Sequence, residues 1–181
     1  MAFFEVFGFT FTWKNYNVAC AFLNCEKEVN YQWVVSMIAE LCNMVGKTPT
    51  TIVTDRELTL MKAIDEIFPQ PKTHHILCRR HVYKNVEGRA KLKPRNANEG
   101  IRFAHECRRV FWSKTEDQYE QNLASFTAAW SNGKVGSALV TYMKNWWLKD
   151  NFKVRIVSTW TDRVLYFGTT TTNRYEQNNI L

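Results

Sequence analysis

A mixed α/β domain carrying a large all-helical block is the fold class this sequence predicts, and three observations predict it. Residues 3 to 25 hold two β-rich runs around a turn, residues 50 to 92 read twice as a short strand followed by a helix, and residues 99 to 149 keep helical spacing without a break. Bulk composition agrees with a globular chain. Of 181 residues, 45% are hydrophobic, 23% charged and 14% aromatic, which excludes disordered, collagen-like and disulfide-scaffold classes. A chain of this length buries roughly 70% of its unfolded surface, enough for a core.

Taken in order, Phe4 to Thr12 alternates loosely through Val6, Gly8 and Thr10. A turn at Trp13-Lys14-Asn15 leads into Tyr16 to Cys25, so the pair predicts a β-hairpin. Trp33, Met37, Leu41 and Met44 then recur at helical spacing, and Gly46, Thr48 and Pro49 close that element. Thr50 to Thr54 is a β-branched strand ending at Asp55, and a helix with Leu58, Met61, Ile64 and Phe68 runs to Pro69 and Pro71. Thr73 to Cys78 makes a second strand, followed by a helix with Val82, Val86 and Ala90 on one side. Pro94 to Asn98 reads as a linker. Beyond it come helices carrying Phe103, Cys107, Val110 and Phe111, then Tyr119, Leu123, Phe126 and Trp130, then Leu139, Tyr142, Met143 and Trp146. Phe152 to Tyr166 has no clear period, and Asn173 with Glu176 three residues on is close to a capping box that starts a last helix. The expected organisation is a core part over 1–92, a helical insertion over 93–150, and a return to the core over 151–181.

Charge is unevenly placed. Residues 79 to 114 hold eleven Lys or Arg against three Glu, a local +8 inside a chain of net +7. Such a segment is either a polyanion-binding surface or a solvated helix face. Five scattered cysteines suit free thiols in a reducing compartment. No run approaches the roughly 20 apolar residues of a membrane span, and the first residues lack the basic flank of a signal peptide.

Several residue types could carry chemistry. Asp55 stands where open α/β sheets hold ligands, as a hard-metal carboxylate or as the N-cap of the next helix. Glu176 is either a second such carboxylate or a capping side chain. Cys78 and His81, with His74 and His75 upstream, give a C-x2-H spacing that is half of a zinc site or else ordinary packing at a helix start. Trp112, Trp130, Trp146 and Trp147 could stack on bases, though helical spacing assigns them to the core.

Three stretches bring these residues into one pattern: TIVTDREL at 51–58, HHILCRRHVYKN at 74–85 and FGTTTTNRYEQN at 167–178. In that order they resemble the transposase domain of Mutator-like elements and its relatives among plant far-red-response regulators, and the resemblance runs along the whole chain from the hairpin onward. It implies an RNase H-like mixed sheet interrupted by a helical insertion. It also implies metal-assisted DNA strand transfer, in which an Asp, Asp, Glu triad holds two divalent ions, Mg²⁺ or Mn²⁺. By position Asp55 resembles the second Asp and Glu176 the Glu, both metal ligands, while Cys78 and His81 resemble the signature beside them. Arg79, Arg80, Lys84, Arg108 and Arg109 would meet the DNA backbone, and Trp130 resembles an insertion tryptophan near flipped bases. A nuclear location and self-association are further expectations.

The family's first Asp lies on the first strand, the central one in a spatial order 3-2-1-4-5, whereas Met1 falls at what corresponds to the second strand. Glu5 is the nearby acid, on the wrong strand of the resemblance. The expectation is an RNase H-like domain lacking its central strand and inactive as written, with hairpin and strand pair each left an open edge. The alternative is a domesticated DNA-binding regulatory module.

Overall fold

The computed structural model describes residues 1–9, 12, 14–91 and 97–166. Two compact units make it up, Met1–His75 with Tyr166, and Ile76–Leu165. The class is mixed α/β, with many helices and, among the described residues, two small two-stranded sheets.

In the first unit β1 (Ala2–Phe9) and β2 (Asn15–Leu23) pair antiparallel, Ala2 opposite Leu23 and Phe4 opposite Ala21, with an irregularity between Val6 and Phe7. Because successive side chains leave a strand on opposite faces, the same hairpin has an apolar face and an open one. Ala2, Phe4, Ala21 and Leu23 join the core of the unit. Phe3 and Phe22 meet on the other face with ring centroids 5.2 Å apart and remain more than half exposed.

The core beneath the hairpin is supplied by α1 (Glu28–Met44) and α2 (Leu58–Ile67). Tyr31, Val34 and Val35 of α1 pack with Leu60, Ala63 and Ile64 of α2 and with Phe68 just past its end. The face of α1 differs from the one its spacing predicts. Trp33, Leu41 and Met44 are exposed, and the buried stripe is turned about the axis to Tyr31, Val34 and Val35. α1 is apolar on two sides, so periodicity finds a stripe without saying which one is covered. Leu58 is likewise exposed while Leu60 and Met61 are buried.

β3 (Thr51–Thr54) and β4 (His74–Leu77) form the second sheet, with α2 between them in sequence. His74 N–H donates to the Thr50 carbonyl at 2.8 Å, and the buried Thr73 hydroxyl donates to the Pro49 carbonyl at 2.7 Å.

The second unit is helical: α3 (Arg79–Lys91), α4 (Ala97–Phe111), α5 (Glu116–Trp130), α6 (Lys134–Tyr142), a π-helical turn (Met143–Trp147), and the short α7 (Asp150–Lys153) and α8 (Ser158–Thr161). Val82, Val86 and Ala90 of α3, and Phe103, Cys107, Val110 and Phe111 of α4, are all buried as their spacing predicts. Thr115 caps α5 by accepting from Gln118 N–H at 3.1 Å, and the Gln118 side chain accepts from Lys114 N–H at 2.6 Å. Gly136 lets α6 start against the end of α5, since a Cβ there would stand 2.2 Å from the Trp130 carbonyl oxygen.

The π-turn changes which tryptophan is inside. Leu148 N–H donates to the Met143 carbonyl at 3.0 Å, a bond spanning five residues, so the turn holds one residue more than an α-helical turn. Trp147 is thereby carried into the core at 1% exposure and Trp146, expected there, stays 48% exposed. The stretch after it, which has no clear period in sequence, forms α7 and α8 and buries Phe152, Ile156 and Val157. The expected last helix and Glu176 lie outside the described residues.

Candidate functional site

Asp55 follows β3 directly and is exposed. It is not the cap of α2: Glu57 is, its carboxylate accepting the Thr59 N–H at 3.1 Å. The Asp55 carboxylate therefore stands at the strand end, outside the capping of the helix. The strand end itself is pinned from behind by His75 of β4, which is 3% exposed. His75 Nε2 lies 2.7 Å from the Thr54 hydroxyl and Nδ1 lies 3.1 Å from the Asp65 carboxylate of α2. Strand and helix are thus tied through one imidazole, whose two ring nitrogens face the Thr54 hydroxyl and the Asp65 carboxylate.

The surroundings of Asp55 are electronegative. Tyr31 at the start of α1 has its phenol pushed up to about 12, by burial first and then by the Glu26, Glu57 and Asp55 carboxylates. This field favours a cation near the strand end. Yet among the described residues no three His, Cys, Asp or Glu side chains stand together as a metal site would need. The described residues therefore do not by themselves fit the paired divalent ions that the resemblance implies.

Cys78 and His81 have different surroundings. Cys78 is fully buried and its carbonyl accepts the Val82 N–H at 3.1 Å, which opens α3. The His81 carbonyl accepts from Asn85 one turn on, at 2.8 Å, and its side chain is half-buried. All five cysteines are free of disulfides.

The basic segment splits into two kinds of residue. Arg79 points inward: its guanidinium donates to Ser158 at 2.9 Å and Thr161 at 2.7 Å and pairs with Asp162 at 3.3 Å, stapling the last turns of the unit to the start of α3. Arg80, Lys84, Arg108 and Arg109 are exposed. Arg108 lies 4.0 Å from the Trp112 ring centroid and 5.3 Å from that of Tyr83, forming a cation–aromatic stack on α3 and α4. Arg109 pairs with Glu106 at 3.4 Å. Trp130 is 5% exposed, set edge-on against Phe103 with Arg102 over its ring. Its faces are thus occupied within the protein, and base stacking, expected of it from sequence, is not open to it in this packing.

Sequence reasoning missed the Thr54–His75–Asp65 tie, whose members are 10 and 21 residues apart with no local motif. It also missed Glu57 as the cap, for which Glu before a helix is a weak signal.

Residues 1–85 match the family model of the MULE transposase domain, a span that begins in the hairpin and ends within α3. No curated protein matches the chain.

Proposed function

We propose that the chain is a transposase-derived domain that holds DNA by its backbone and does not itself cut it. The observation that carries this reading is the match of residues 1–85 to the MULE transposase domain, because that span includes the strand-end Asp55 together with Cys78 and His81. On this reading the core is RNase H-like, of the kind shared with plant far-red-response regulators. Asp55 takes the second Asp position and Glu176 the Glu position, and the location is nuclear.

Two features support binding without cleavage. Glu5 of β1 accepts from Asn17 of β2 at 2.7 Å, so its carboxylate is engaged across the hairpin. The exposed cations Arg80, Lys84 and Arg108 beside Trp112 supply phosphate contacts and a stacking surface, which is the make-up of a backbone-reading site.

Binding of labelled duplex and single-stranded DNA across a salt series tests the first half. Affinity is expected to fall steeply with salt, and neutralising Arg80, Lys84 and Arg108 together is expected to reduce the log–log slope by about 0.9 for each phosphate left without its cation. Indifference to salt overturns binding. Incubation of supercoiled plasmid with Mg²⁺ or Mn²⁺ tests the second half: no nicking is expected, and metal-dependent nicking that disappears in Asp55→Asn makes the chain a working nuclease.

A further inference from the structure

β2, Asn15–Leu23, contains no charged residue, no proline and no glycine. A strand at the edge of a sheet presents a row of backbone N–H and C=O groups to any strand that can lie beside it, and lysines, prolines or bulges normally guard that row. β2 pairs with β1 along one edge, and among the described residues no third strand and no loop backbone hydrogen-bonds to the other. The strand is open to solvent there: Cys20 is exposed and Phe22 is 66% exposed.

One half of β2 is guarded and the other is not. Val6 faces Ala19 and Phe7 faces Asn17, so Val18 has no partner on β1, and such a bulge disturbs the ladder on the turn side. From Ala19 to Leu23 the register with β1 is regular. This leaves the five residues ACAFL as an uncharged, evenly pleated edge. Two strands alone make a marginal sheet, and added strands stabilise it.

The chemistry around this edge suits a second copy of the chain. Residues 1–75 hold six Lys or Arg against eight Asp or Glu, so two such units repel one another weakly, whereas residues 76–165 hold seventeen Lys or Arg against eight Asp or Glu. Glu5, the acid opposite Cys20, is already engaged by Asn17. Two identical strands laid antiparallel are related by a twofold axis, so each side of the contact is the same patch. With that axis at Ala21, two small side chains meet at the centre, Cys20 lies opposite Phe22 of the second copy, and no like charges are opposed. The Phe3–Phe22 pair of each hairpin then extends one apolar surface across the junction. On the opposite face Ala21 and Leu23, which belong to the core, do the same.

We infer that β2 pairs edge to edge with β2 of a second copy through Ala19–Leu23, joining two hairpins into one four-stranded antiparallel sheet.

Sedimentation equilibrium of the whole chain, from micromolar to near-millimolar concentration, tests this. A monomer–dimer equilibrium is expected. Phe22→Lys guards the edge as natural sheets do, and because the twofold repeats each change, it is expected to weaken dimerisation roughly tenfold or more. Trp33→Lys, at an exposed position of α1, is expected to leave dimerisation unchanged. Phe22→Cys reads the register independently of affinity. Oxidised with diamide, it is expected to give a covalent dimer in which Cys20 of one copy is bonded to the introduced thiol of the other, and adding Cys20→Ser is expected to prevent that link. Thermal melts establish that each variant is folded. A chain that stays monomeric throughout, a dimer untouched by Phe22→Lys, a dimer dissolved by Trp33→Lys, or a cross-link that forms without Cys20 overturns the assignment.

Discussion

The N-terminal unit turns much of its aromatic surface outward, whereas the helical unit turns most of its own inward. Phe3, Tyr16, Phe22 and Trp33 are each more than half exposed, and the core they surround is built of Val34, Val35, Leu60, Ala63 and Ile64. In the helical unit Phe103, Phe111, Phe126, Trp130 and Trp147 are all buried. Helices can close a core by wrapping round one another, but a two-stranded sheet covers one face with helix and leaves the other bare. The contrast locates the larger buried aromatic core in the helical unit and the more exposed apolar surface in the other.

The largest effect that could break this contrast is Phe103→Ala. Phe103 is 0% exposed and touches both Phe126 and Trp130, so its truncation is expected to cost about 3–5 kcal/mol in urea unfolding. Trp33→Ala removes a larger side chain from α1, yet at 53% exposure it is expected to stay within about 0.5 kcal/mol of the parent. Equal costs at the two positions mean that something covers α1 in solution.

A smaller effect compares two crowded glycines. A Cβ on Gly136 meets the Trp130 backbone carbonyl, which cannot step aside without moving α5 or α6, and Gly136→Ala is expected to cost about 1–3 kcal/mol. A Cβ on Gly8 meets the Tyr16 ring at 2.3 Å, nearly as tight an approach. Tyr16 is 51% exposed, however, and its ring can swing away, so Gly8→Ala is expected to cost less than Gly136→Ala. The reverse order in thermal melts means the hairpin is held more rigidly than its exposure implies.

What sequence makes legible follows from where the information is local. Hairpin pairing is readable because alternation and a turn lie within about twenty residues, and the faces of α3 and α4 because each has a single apolar side. The face of α1 is not readable, because Trp33 and Leu41 compete with Val34 and Val35, and only tertiary packing decides between them. Trp146 and Trp147 exchange places through one extra residue in a π-turn, which a 3.6-residue period cannot register. Asp55 is recognisable as a strand-end carboxylate, but its standing outside the helix cap depends on Glu57 reaching Thr59. His75 stands out in sequence beside Cys78 and His81 as metal-ligating chemistry, while its pairing with Thr54 and Asp65 needs β3, β4 and α2 assembled first.

The smallest expected effect concerns one buried tyrosine in each unit. Tyr31 and Tyr119 are both pushed up to about 12 from an ordinary value of 10.0, in each case by burial first. Carboxylates add to it: Glu26, Glu57 and Asp55 around Tyr31, Glu120 and Asp150 around Tyr119. Below pH 10 each phenol is protonated in both folded and unfolded chains, and its full contribution to stability is present. Between about pH 10 and 12 the unfolded chain ionises first, so stability is lost as pH rises. Tyr31→Phe and Tyr119→Phe are each expected to flatten part of that alkaline loss in pH-dependent unfolding. Salt divides the causes, since it screens carboxylates but not burial. Raising ionic strength is expected to lower the Tyr31 value slightly in a tyrosinate absorbance titration, and Asp55→Asn to do the same at low salt. A Tyr31 value that neither salt nor Asp55→Asn moves would mean the strand end lacks the negative field that marks Asp55 as a cation-facing residue.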